Sequence, residues 1–85
     1  MTMEELAPLT NGLSVETGAQ TLVCERAMIT PLEGDAVDMA FWIAGTGHRP
    51  RLRLTREHVS RSTPKDLARI VSRVVMSAVM GERRV

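Results

Sequence analysis

The sequence predicts an α+β domain: an antiparallel meander of three or four strands, then one long C-terminal helix, in the order β-β-β-β-α. Three observations carry that expectation. Apolar and polar residues alternate in short runs between Leu13 and Thr55, which is the two-residue period of a half-buried strand. From Leu67 onward the apolar positions recur every three or four residues, which is the helical period. Between the two regimes stands "STPKD", a helix-entry signature.

Taken in order, residues 1–11 read as a flexible, weakly structured N-terminal arm, interrupted by Pro8 and closed by Asn11-Gly12. Residues 12–85 read as a single small α+β domain. Leu13 and Val15 alternate with Ser14 and Glu16 as a first strand. "TGAQ" (17–20) offers turn chemistry, with Gly18 free to take a positive φ. "TLVCERAMI" (21–29) is the second strand, with Leu22, Cys24 and Met28 expected on one face. "TPLEGDA" breaks the pattern, and "VDMAFWIA" (37–44) resumes it with Val37, Met39, Phe41 and Ile43 on a clean apolar face. Its other face, Asp38, Ala40, Trp42 and Ala44, is also fairly apolar, so this strand is expected centrally in the sheet. "RLRLT" (51–55) turns Leu52 and Leu54 inward and Arg51 and Arg53 outward.

The helix begins with Thr63 as N-cap, Pro64 at the first position and Asp66 three residues after the cap, an aspartate version of the capping box. Gly81 is a natural terminator, and Arg83 and Arg84 suit the negative end of the helix dipole. Leu67, Ile70, Val71, Val74 and Ala78 form its apolar stripe, which Ala68, Val75 and Val79 widen to about half the circumference. Met76 and Met80 lie beyond, on the side of Lys65, Arg69 and Arg73.

The apolar fraction of 44% supports a core and argues against whole-chain disorder. That core is thin, because a chain of this size buries only about 60–65% of its unfolded surface. Cys24 is the only cysteine, so no intramolecular disulfide forms, and a reducing, cytoplasmic setting is expected. The acidic start lacks the apolar region of a secretory signal, and no run reaches the ~20 apolar residues of a membrane span. A membrane partner is therefore not expected.

Charge is strongly segregated. Residues 1–47 carry seven acids against Arg26, a formal −6, and residues 48–85 carry ten bases against three acids, a formal +7. The basic half contains "RPRLRLTREH" and an i, i+4 stripe of Lys65, Arg69 and Arg73. Such an array binds phosphate by charge and by bidentate guanidinium geometry. The competing expectation is that Glu16, Glu25 and Asp38 neutralise it across neighbouring strands. Phe41 and Trp42 are the only aromatics, so the base-stacking platform of a single-strand reader is missing, and a strand-first order lacks the opening helix of a double-stranded-RNA module.

No catalytic, cofactor-binding or metal-binding residues are assigned. His48 and His58 are ten apart and Cys24 is remote from both, which matches no ligand or nucleophile spacing. "GTG" (45–47) lacks the third glycine and the following helix of a phosphate-cradling loop. The function expected is a small non-enzymatic protein-interaction module, self-associating as a homodimer through the C-terminal helix. Its contacts would be Trp42, Val75, Met76, Val79 and Met80. The alternative is a small nucleic-acid-binding protein using Arg51, Arg53, Arg69 and Arg73.

Overall fold

The structure, a computed structural model, describes residues 1–81. It contains four strands in the order β1-β2-β3-β4, every neighbouring pair antiparallel, followed by a long helix. The strands are β1 (Ser14–Glu16), β2 (Thr21–Pro31), β3 (Ala36–Ile43) and β4 (Arg51–Thr55). The α+β meander expected from the alternation is thus the architecture observed. Three short helical pieces add to it: a 3-10 turn (Met3–Glu5), α1 (Leu6–Thr10) and α2 (Arg56–Arg61), which precedes the long α3 (Pro64–Gly81). No described helix is long and apolar enough to cross a membrane.

The largest departure from the sequence reading is at the N-terminus. Residues 3–10 are helical, and Leu6 and Thr10 are completely buried. The expectation of a weakly structured arm rested on Pro8 and Asn11-Gly12, but Pro8 lies inside α1 and is exposed. A proline in the first turn of a helix forfeits no intrahelical bond, so the segment tolerates it. The burial of Leu6 against β2 and α3 then outweighs the weak local propensity. The buried Thr10 hydroxyl donates to the Met39 sulfur at 3.6 Å.

A second correction concerns β2. Cys24 and Glu25 pair with Ile43 and Trp42, but the register slips by one residue before Met28 pairs with Ala40. Two residues, Arg26 and Ala27, stand opposite Phe41, and Arg26 has φ 54°. This β-bulge reverses the inward and outward sense of every residue after it. Ala27 and Ile29 therefore pack on the core, and Met28, expected inside, is 58% exposed. The bulge frees the Ala27 N–H from the ladder, and the Asn11 side-chain carbonyl accepts it at 2.8 Å. The Asn-Gly pair read as loop punctuation thus anchors the N-terminal segment to the bulge.

The core lies between one face of the sheet and the helices. It comprises Val15, Leu22, Cys24, Met39, Phe41 and Ile43 from the sheet, Leu6 from α1, Val59 from α2, and Leu67, Val71 and Val75 from α3. The α3 capping box forms as the spacing implied: Asp66 accepts the Thr63 N–H at 3.0 Å and donates its own N–H to the Thr63 hydroxyl at 3.2 Å. Arg83 and Arg84, expected at the helix C-terminus, lie outside the described residues.

Candidate functional surfaces

The two faces of the sheet differ in kind. Helices cover the inner face, and no described helix packs on the outer face, where Val23 and Met28 are exposed, Asp38 and Trp42 are half-buried and Ala40 is buried among its neighbours. Along the outer side of β3 run Asp38, Ala40 and Trp42, flanked by Thr30, Met28 and Glu25 on β2 and by Arg53 and Arg51 on β4. Arg49, just before β4, carries the same register to Trp42 and places its guanidinium 5.7 Å from the ring centroid. Across the sheet, Trp42 therefore has an acid, Glu25, on one side and a cation, Arg49, on the other. Met28 and Val23 add exposed apolar area to this face, at 58% and 38%.

The sequence-derived contact set is split by the fold. Val75 is fully buried beneath α3, so it packs the monomer core and cannot reach a partner. The reason is rotational: the buried stripe is centred on Leu67, Val71 and Val75, displaced from the centre that the sequence pattern suggested. Val79 packs partly on the core, and Met80 is 58% exposed. Met76, Val79 and Met80 line a groove of about 220 Å³ with Thr17, Ala19 and Gln20 of the β1–β2 turn. Trp42 lies on the opposite side of the sheet, so no single flat contact unites it with these three.

The basic residues form a second surface. An open cleft of about 410 Å³ between α2 and α3 is lined by His58, Arg61, Ser62, Asp66, Arg69, Ile70 and Arg73. It exists because α2 folds back after β4. The Thr55 hydroxyl caps this helix by accepting the His58 N–H at 3.0 Å. Asp35 of the β2–β3 loop accepts the Arg56 N–H on its carbonyl at 2.8 Å. Sequence reading missed α2, since six residues are too few for periodicity to register. Its one advance signal was Thr55 placed three residues before His58 as an N-cap.

The neutralisation expected of the acidic half is only partial. Asp38 stands directly opposite Arg53, but its ion pair, at 2.5 Å, is with Arg51, its diagonal neighbour on the same face. Glu16 on β1 lies three strands from β4 and Glu25 lies two away, about 14 and 10 Å at the usual strand spacing. Neither reaches the arginines of β4, and the α2–α3 cleft lies on the other side of the sheet. Within the cleft, Arg61 pairs with Glu57 at 2.6 Å. Among the described residues, Arg69 and Arg73 have no carboxylate within ion-pair distance. Hydrogen bonds from the Thr63 backbone and hydroxyl hold the Asp66 carboxyl below its ordinary range, with Arg69 and then His58 adding smaller effects.

Cys24 is fully buried, and burial raises its thiol pKa, so it packs as a small hydrophobe. Among the described residues no three His, Cys, Asp or Glu side chains gather as a metal site. "GTG" forms the β3–β4 loop: Gly45 and Gly47 take φ near +77°, and the Ile43 N–H donates to the His48 carbonyl at 3.0 Å. Comparison with protein-family models, curated protein sequences and solved structures finds no match to this chain.

Proposed function

We propose that this chain is a small non-enzymatic interaction module that self-associates, and that the contact is the outer face of the sheet rather than α3. The observation that carries the reading is the row Glu25–Trp42–Arg49 on that uncovered face. A two-fold axis running parallel to β3 between two such faces would preserve each row and exchange its flanks. Glu25 then meets the partner's Arg49, and Arg49 meets the partner's Glu25. Ala40, and Ala44 beyond the strand, have short side chains on either side of Trp42, which leaves room for a facing indole. Sheets stacked in this way sit about 10 Å apart. Tryptophan, methionine and arginine are among the residue types enriched at interfaces. A second copy would also cover Met28 and Val23, whose exposure otherwise has no compensating contact.

The test is charge exchange monitored by light scattering. Wild-type protein is expected to be dimeric at about 100 μM, and Glu25→Arg and Arg49→Glu are each expected to be monomeric. An equimolar mixture of the two variants should dimerise again, because every facing pair becomes opposite in sign. A monomeric wild type, or variants that fail to re-pair while retaining native circular dichroism, would refute the reading.

A further inference from the structure

We propose that the α2–α3 cleft is a binding site for the phosphate backbone of nucleic acid. The proposal goes beyond self-association and uses the opposite side of the molecule, so the cleft stays open in the dimer described above. Three arginines line it, and two of them, Arg69 and Arg73, have no ion-pair partner among the described residues. The third, Arg61, is paired with Glu57, yet both side chains are largely exposed, at 77% and 65%. An exposed pair of this kind is worth little and exchanges its partner readily. His58 adds a further ring donor at the rim.

An acid also lines the cleft: Asp66 keeps its charge while accepting the Thr63 N–H, so three guanidinium groups stand against one carboxylate there. The cations are almost all arginine, whose planar fork matches phosphate oxygens two at a time.

The shape favours an extended polyanion over a single phosphate. Arg73 also lines an adjoining groove of about 440 Å³ with Pro50, Arg51, Val74, Ser77 and Ala78. The two depressions share Arg73, so the arginine-lined cleft runs on along α3 into the second groove. Arg69 and Arg73 are spaced about 6 Å along the helix axis, one turn apart. Neither Phe41 nor Trp42 lines either depression, and His58 is the one ring in the cleft. The site has no platform of successive aromatics, so the contact is with the backbone, independent of sequence. The arginines first singled out in the sequence divide accordingly: Arg69 and Arg73 belong to the cleft, while Arg51 and Arg53 both belong to the outer face, where Arg51, which borders the second groove, turns its guanidinium to Asp38.

Fluorescence anisotropy of a labelled 20-base-pair DNA duplex, titrated with the intact chain from 50 to 200 mM salt, tests the assignment. Contacts from Arg61, Arg69 and Arg73 should give a slope of about −2.7 in log affinity against log salt, a loss of about 40-fold over that range. The R69A/R73A variant, altered at two exposed side chains, should retain its thermal melt while its loss shrinks to about 3.5-fold. Arg53→Ala should behave as wild type. Absence of binding at 50 mM salt overturns the proposal. An unchanged slope in folded R69A/R73A does so too, as does a slope lowered by Arg53→Ala instead. Displacement of the duplex by polyglutamate of equal charge as readily as by unlabelled DNA would overturn the nucleic-acid assignment.

Discussion

Replacing Leu6 by alanine tests whether the N-terminal segment belongs to the folded domain. Leu6 is completely buried in a core shared with strands and with α3. The substitution removes three carbon atoms, and at about 0.8 kcal/mol each the transfer loss alone is about 2.4 kcal/mol. The cavity left in that core adds to this, placing the expected loss within about 2–5 kcal/mol. A domain of 85 residues has roughly 4–13 kcal/mol to lose. A loss of about 3 kcal/mol lowers the melting temperature by about 12–24 °C. Urea denaturation followed by circular dichroism measures it directly, and Leu6→Ala should shift the midpoint without changing the slope. A change below about 0.5 kcal/mol would refute the docking of α1 and restore the loose arm inferred from Pro8 and Asn11-Gly12.

Two further outcomes follow from the same packing. Thr63→Ala removes the hydroxyl that accepts the Asp66 N–H, and should cost about 1 kcal/mol in the same denaturation assay. The Asp66 and Glu5 carboxyls are both held below their ordinary values by hydrogen bonds from their cap threonines. Their contribution is therefore complete above the ordinary carboxylate range and is lost as pH falls through their lowered values. An acid titration of Thr63→Ala should show a shallower stability loss there than wild type, and an identical profile would contradict the capping role. Cys24, buried and with its thiol pKa raised, should resist a thiol reagent at pH 8 until denaturant is added. Prompt modification of native protein would mean that β2 opens locally.

Most of the sheet was legible because its signal is local. The alternation of Val37, Met39, Phe41 and Ile43 needs no knowledge of what covers them, and neither does the Thr63–Asp66 box. Met28 shows where that logic fails. A bulge at Arg26 inserts a residue against Phe41, and no period-two reading detects a slip set by pairing with another strand. The contact residues suffered from a related limit. A helical wheel ranks Val75 at the margin of its stripe, but the direction in which α3 faces is set by the sheet beneath it, and Val75 faces inward. Trp42 and Met80 looked compatible as one surface only because sequence does not say that a sheet separates them.

The sequence by itself determined the strand meander, the start of the long helix, the inertness expected of Cys24 and the separation of acidic from basic residues. Each depends on composition or on neighbours a few positions apart. Tertiary structure alone decided three things: that the first ten residues dock, that β2 reverses its faces, and that the basic half meets only part of the acidic half. The physical reason is the same throughout. Burial of Leu6, the register of β2 and the distance from Glu16 to β4 depend on strands and helices remote in the chain, and a charge is neutralised only by what lies within a few ångströms of it.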